Sequence, residues 1–109
     1  MAPNRPNPRP PAVQGQTTRA YGWASGQHLA TSGAAAVRST AVAAVEVCLC
    51  ATVAGYVKVG DNTVTASAGA GSLHLPAGLP FHMQIFSGQQ VSFIRAGSTD
   101  GALSLLPVL

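Results

Sequence analysis

The hydrophobic pattern of the central part of the chain has a period of two. In "AVAAVEVCLCATV", one face of an extended chain would carry Ala43, Val45, Val47, Leu49, Ala51 and Val53. The other face would carry Val42, Ala44, Glu46, Cys48, Cys50 and Thr52. Because successive side chains of a β-strand point to opposite faces, this alternation predicts a long strand.

Shorter alternating runs follow. In "YVKVGDNTVTAS", Val57 and Val59 are expected to face inward, and a turn at Gly60-Asp61-Asn62 separates two short strands. Three further runs place on one face Leu73 with Leu75, Phe81 with Met83 and Ile85, and Val91 with Phe93 and Arg95. Gly and Pro turns separate the runs about every 8–12 residues, which is typical of a β-sandwich. The sequence therefore predicts an all-β, jelly-roll-like sandwich of about seven or eight short antiparallel strands.

The N-terminal segment has a different composition. Five prolines stand in its first eleven residues, at positions Pro3, Pro6, Pro8, Pro10 and Pro11. Proline fixes φ and removes a backbone donor, so the segment is expected to be extended or polyproline II rather than helical. We expect residues 1–22 to form an extended arm, which could reach roughly 70 Å, and residues 23–109 to form the sandwich domain.

Charge is divided unevenly between these two parts. The chain has 109 residues, of which 47 % are hydrophobic and 8 % charged, and its formal net charge is +3. Arg5, Arg9 and Arg19 account for this charge, because the three cations and three acids of the remainder cancel. Small soluble domains usually carry more surface charge, so a neutral apolar body predicts burial against copies of itself, as a homodimer or homotrimer, or against a partner.

The sequence offers little material for catalysis or metal binding. Cys48 and Cys50 would lie on the same face of a strand with parallel side chains, which is poor geometry for a mutual disulfide. The three histidines, His28, His74 and His82, fall in separate predicted strands, and no nucleophile motif stands near an acid. We expect no metal, no cofactor, no small-molecule substrate and no enzymatic activity.

The arm is the candidate partner-binding element. Arg5, Arg9 and Arg19 could bind carboxylates or backbone carbonyls of a neighbour, while Tyr21 and Trp23 would anchor the arm's base. The arm lacks interleaved aromatic residues, which favours a protein over a nucleic acid as its partner. No apolar run is long enough to span a membrane and no signal-peptide pattern is present, so we expect no membrane partner and assembly in the cytoplasm.

A series of turn motifs in the last half of the chain carries a resemblance. The motifs are Gly60-Asp61-Asn62, Leu75-Pro76-Ala77-Gly78, Ser87-Gly88, Val91 to Ile94, and Gly101 to Leu105. In this order of elements the chain resembles small β-sandwich virion proteins of tailed bacteriophages. These motifs are turn chemistry and carry over no catalytic residue.

The resemblance implies a cement or decoration protein on the capsid exterior, with the major capsid protein as its partner. Two alternatives remain open. One is a head–tail connector or tail component, which differs mainly in copy number. The other is a carbohydrate-binding sandwich module, which requires an exposed aromatic cluster, whereas most of the six aromatic residues are expected to face inward.

Overall fold

The computed structural model describes residues 20–109, and their regular secondary structure is almost entirely β-strand. One turn of 3₁₀ helix spans Trp23–Ser25. The strands are β1 (Gln27–Ala30), β2 (Val37–Arg38), β3 (Glu46–Ala51), β4 (Gly55–Gly60), β5 (Leu73–Leu75), β6 (Phe81–Gln84), β7 (Gln90–Arg95) and β8 (Ala102–Pro107). The predicted all-β fold is confirmed. Within these residues no helix has the length and apolar character needed to cross a bilayer.

The strands form two antiparallel sheets, and each strand of the first half of the chain pairs with its counterpart counted back from the C-terminus. β1 pairs with β8, β2 with β7, β3 with β6 and β4 with β5, so the chain folds as a ribbon doubled back on itself. Two more pairings, β3 with β8 and β4 with β7, complete sheet A (β1-β8-β3-β6) and sheet B (β2-β7-β4-β5). This arrangement of eight strands in two sheets is a jelly roll.

The core lies between the two sheets and is built from alternate strand positions. Sheet A contributes Val47, Leu49, Leu103 and Leu105, and sheet B contributes Val57, Leu75, Val91 and Phe93. All eight side chains are at most 1 % exposed. Burial of each such side chain contributes about 1.5–3 kcal/mol, so this layer is the main source of stability.

The alternation predicted for residues 42–53 is observed only within β3. Val47, Leu49 and Ala51 are buried as one face, but Val45 is 64 % exposed and Val42 is 2 % exposed. Val42 leaves the ladder and hydrogen-bonds the turn before β7, accepting from Gly88 N at 2.7 Å and donating to Gln89 O at 2.9 Å. The predicted continuous strand is therefore wrong at its N-terminal end.

The second strand predicted after Gly60-Asp61-Asn62 is also wrong, because residues 61–67 cross the outer face of sheet B. Ala66 N donates to the Ser92 hydroxyl at 2.9 Å. The Arg38 guanidinium donates to the carbonyls of Asn62, at 2.5 Å, and Val64, at 3.4 Å. Side chains thus satisfy the backbone of a segment that has no strand partner, and they hold it against the sheet.

Two apolar positions predicted to share the inward faces are open to solvent. Leu75 is 1 % exposed, but Leu73, two residues earlier in β5, is 44 % exposed. Phe81, at the start of β6, is 37 % exposed. Both belong to edge strands, where the opposite sheet no longer covers the inward side.

Candidate partner-binding surface at the arm base

The last residues of the predicted arm are part of the sandwich. Ala20 O accepts a hydrogen bond from Leu109 N at 2.8 Å, and Gly22 N donates to Pro107 O at 2.8 Å. Tyr21 lies opposite Val108 in an antiparallel bridge. Residues 20–22 therefore extend the β1 side of sheet A and are part of the body.

A 3₁₀ turn connects this base to β1. Ser25 N donates to Gly22 O at 3.0 Å and Gly26 N to Trp23 O at 3.2 Å. A Cβ atom at Gly26 would lie 2.9 Å from a Leu106 methyl group. Glycine at position 26 thus lets the turn approach the outer face of β8 closely.

Tyr21 contacts the far edge of sheet A. Its hydroxyl lies 2.8 Å from His82 Nε2, and the two rings stack with centroids 6.0 Å apart. His82 of β6 is opposite Cys48 of β3, which is opposite Leu106 of β8. The Tyr21–His82 pair therefore spans the outer face of sheet A from one side to the other.

Trp23 contacts the body less closely than Tyr21 does. Its ring meets the Tyr21 ring edge-on, with centroids 5.5 Å apart, but 72 % of the residue is exposed. Of the two anchors predicted from the sequence, Tyr21 is thus held by hydrogen bonding and stacking. Trp23 adds one aromatic contact and otherwise presents its surface to solvent.

A groove of about 340 Å³ runs beside the base. It separates the turn at 22–27 from the segment at 40–43, and its walls include Gly22, Gly26, Val42, Pro107 and Leu109. The Gln27 amide oxygen accepts from Thr40 N at 2.9 Å, which ties the two walls together. Small side chains and backbone leave room for an extended peptide, and Leu109 offers it an 84 % exposed apolar contact.

The charges of the described body are largely engaged in turns and loops. Arg95 Nη1 donates to Asp100 Oδ1 at 2.6 Å, and the same carboxylate oxygen accepts from Gly33 N at 2.9 Å. Arg38 binds backbone carbonyls. The remaining arginines, Arg5, Arg9 and Arg19, lie outside the described residues, and Arg19 immediately precedes the fixed base.

Asp61 acts as a turn residue, as its position in Gly-Asp-Asn predicts. Its carboxylate accepts from the Thr63 hydroxyl at 2.6 Å and from Thr63 N at 2.8 Å. The hydroxyl bond first, and the backbone bond second, hold the pKa of Asp61 below its ordinary value. This carboxylate therefore serves the start of the segment that crosses sheet B.

The described residues do not assemble a metal site. No three His, Cys, Asp or Glu side chains between residues 20 and 109 come together in a way that could hold an ion. His74 packs its ring against Tyr56, and His82 against Tyr21. Cys48 and Cys50 are half-buried thiols on the outer face of β3.

The aromatic residues are more exposed than their sequence positions predict. Phe93 is buried, but Phe86 is 80 % exposed, Trp23 is 72 % exposed and Phe81 is 37 % exposed. Tyr21 and Tyr56 are half-buried. The expectation that most aromatic residues face inward is therefore wrong.

Sequence reasoning did not find the partners of the arm base. His82 is 61 residues from Tyr21, and Pro107 and Leu109 are at the opposite end of the chain. Alternation around Met83 indicates only that His82 faces away from the core.

Comparisons with protein-family models, with curated proteins and with solved structures found no match.

Proposed function

We propose that this chain is a structural protein of a bacteriophage particle, of the cement or decoration type. It binds the lattice of the major capsid protein on the outside of the head and stabilises the assembled shell. The observation that carries this proposal is the division of the molecule into a neutral β-body and a cationic, proline-rich segment joined to it at one fixed point.

The fixed point gives the arm a defined origin. Hydrogen bonds from residues 20 and 22 to the end of the chain and the Tyr21–His82 contact hold the base on sheet A. Nineteen residues precede this base, and an extended segment of that length could reach roughly 60 Å. This reach is enough to cross from one capsid subunit to the next.

The composition of the arm suits binding to a neighbouring subunit. Prolines reduce the conformational entropy that the segment loses when it becomes ordered on a partner. Arg5, Arg9 and Arg19 provide charge-assisted hydrogen bonds to carboxylates or carbonyls. Because a shell repeats its sites many times, each contact can be weak.

The body contributes a second type of contact. Jelly rolls occur in viral capsid domains and in lectins, so the fold is compatible with the proposal but does not select it. A neutral sheet surface avoids like-charge repulsion when it packs flat on a protein lattice. The absence of a charged cleft among the described residues leaves surface packing as the body's main resource.

The proposal is tested by pelleting the full-length protein with shells assembled from the major capsid protein of the genome that encodes this chain. We expect wild type to pellet with shells and the variant Arg5→Gln/Arg9→Gln/Arg19→Gln to bind at least about tenfold more weakly. Lys58→Gln, which removes a charge from the exposed body, is the matched control and should bind like wild type. Equal binding by the triple variant, or no binding by wild type, would contradict the proposal.

A second candidate function is carbohydrate binding, and one observation favours it. Trp23 is 72 % exposed, packs on Tyr21 and lines a second, shallower groove together with Gln27, His28 and Ser104. Flat aromatic surfaces next to a polar groove suit the apolar face of a sugar ring. A glycan array in which wild type binds and Trp23→Ala does not would favour this function over the first.

A further inference from the structure

Strands β5 and β6 contain no charged residue, and the nearest charge to β6 in the sheet is Glu46 of β3, opposite Gln84. No Asp, Glu, Lys or Arg stands between Asp61 and Arg95, and this stretch contains both of these edge strands and their connection. The opposite side carries Arg38 on β2. A partner with a charged surface would gain nothing at the β5/β6 side and would lose solvation there.

Most of the exposed apolar side chains of the described body lie along this side. Leu79 is 59 % exposed and Phe81 37 % at one end of β6, while Phe86 is 80 % exposed just beyond its other end. Val45, 64 % exposed, is next to that second end, because Ile85 N donates to Val45 O at 2.9 Å. β6 is therefore an uncharged edge with apolar side chains at both ends, which we call the β6 edge (Leu79–Phe86 with Val45).

The backbone of β6 has donors and acceptors on its open side. Ile85 bonds to Val45 in the β3 ladder, and antiparallel pairing alternates, so Phe81 and Met83 also direct their backbone groups at β3. The backbone groups of His82 and Gln84 consequently point away from the sheet. Within the described residues β6 pairs with β3 alone.

The other three edges are better protected. Gln27 of β1 is bonded to Thr40, and Arg38 places a charge on the two-residue strand β2. β5 has three residues and is followed directly by Pro76. Charges, prolines and shortness are the usual devices that keep sheet edges from pairing. β6 has no charged residue, and its four residues follow Pro80 directly, so the backbone groups it leaves open are those of His82 and Gln84.

We propose that the β6 edge is a homodimer interface, in which two copies pair β6 with β6 antiparallel and join their A sheets into one. The register that uses all outward backbone groups places His82 of each copy opposite Gln84 of the other. A two-fold axis then brings the Phe86 end of one β6 edge against the Leu79 end of its partner. The edge is complementary to itself, because it has matching apolar ends and no charge to repel its copy.

Composition predicts self-association as a homodimer or homotrimer, and this pairing specifies a dimer. The proposal does not depend on the proposed particle function. It is tested by sedimentation velocity on the full-length protein over a range of micromolar concentrations. Wild type and Gln84→Ala are expected to dimerise. Glu46 lies directly opposite Gln84 in the β3–β6 ladder and would pair with a lysine there, so charges are introduced in a Glu46→Gln background, which should itself dimerise. In that background Gln84→Lys places two like charges about 7–8 Å apart across the axis and should weaken the dimer at least about tenfold.

Mixing separates specific pairing from general damage. In the Glu46→Gln background, Gln84→Lys and Gln84→Glu should each be monomeric alone, and an equal mixture should recover dimers because the diagonal pair becomes attractive. Thermal melts should show both variants folded, since the Gln84 side chain is exposed.

A second pair of variants locates the interface. Phe86→Ser should also weaken the dimer, whereas Trp23→Ser, which removes an equally exposed aromatic residue from the arm base, should leave it intact. A monomeric wild type would overturn the proposal, as would a dimer that survives both Gln84→Lys and Phe86→Ser. Loss of the dimer in Trp23→Ser alone would also overturn it and would move the interface to the arm base.

Discussion

The two lateral sides of the sandwich differ in their side chains. One side is formed by the edge strands β1 and β2, and the other by β5 and β6. On the β1/β2 side, Gln27 binds Thr40, and Arg38 binds the carbonyls of the segment that crosses sheet B. On the β5/β6 side, His82 bonds to Tyr21 and Gln89 accepts from Phe86 N, but β5 and β6 contain no charged residue and Leu79, Phe81 and Phe86 are exposed.

On one side, polar side chains form hydrogen bonds within the body, and on the other, apolar side chains remain exposed and available to a partner. Buried serines, an arginine and a glutamine satisfy backbone groups on the β1/β2 side from within the body. The β5/β6 side gains its missing hydrogen bonds and burial only by association. The arm base adds a third element, which is fixed to the end of the chain by backbone hydrogen bonds.

The largest expected effect is on the free energy of unfolding. It compares a buried apolar residue of the core with an exposed one at the β5/β6 side. Phe93→Ala should lower the free energy of unfolding by about 3–5 kcal/mol, because Phe93 is fully buried between the sheets. Phe86→Ala, at an 80 % exposed residue, should change it by less than about 0.5 kcal/mol. Urea unfolding at a concentration where the protein is monomeric measures both, and equal losses would remove the distinction.

The next effect tests how the β1/β2 side is closed. The Ser92 hydroxyl, which is buried, accepts from Ala66 N at 2.9 Å and donates to Val37 O at 3.0 Å. Ser92→Ala leaves both groups unsatisfied and should cost about 1–3 kcal/mol. Hydrogen exchange at Ala66 should accelerate, while Ser104→Ala, on the exposed face of β8, should leave that amide unchanged.

A smaller effect is expected at the arm base. Tyr21→Phe removes the hydrogen bond to His82 and should cost about 0.5–1.5 kcal/mol. A double-mutant cycle with His82→Phe should show coupling between the two sites, because each variant removes the same bond. Purely additive losses would mean that the base is held by its backbone bonds alone.

The smallest effect concerns pH and the turn at Asp61. The Thr63 bonds lower the pKa of Asp61 from 3.8, so the carboxylate stabilises the fold above that value. The contribution is lost as the pH falls through the lowered pKa. Asp61→Asn should therefore be slightly less stable than wild type near neutral pH and equal to it in acid, as measured by unfolding at both pH values. A difference that persists in acid would assign the effect to the loss of turn geometry.

Much of the sandwich is predictable from local sequence. Alternation finds the buried faces of β3, β4 and β7, and the Gly60-Asp61-Asn62 turn ends β4 as expected. It fails for residues 63–67, where the pattern of a strand is present but the ladder bonds are replaced by Ser92 and Arg38 from distant positions. It also fails at Val42 and Val45, where a bend inverts the two faces.

The arm base is less predictable. The aromatic residues Tyr21 and Trp23 could be chosen as anchors from their position, but the sequence does not reveal which side chains receive them. His82 and Leu109 become partners only because the jelly-roll order brings β6 and β8 into one sheet. Exposure at the edges, as for Leu73 and Phe81, likewise depends on strand order, which alternation does not encode.

The most direct test of the central claim measures the heat stability of major capsid protein shells with and without the full-length protein. A ligand that binds the assembled shell and not its free subunits must stabilise the shell by mass action. We predict that saturating wild type raises the temperature at which shells break down, and that the triple arginine variant at the same concentration raises it much less. An unchanged breakdown temperature at full occupancy by wild type would contradict the account.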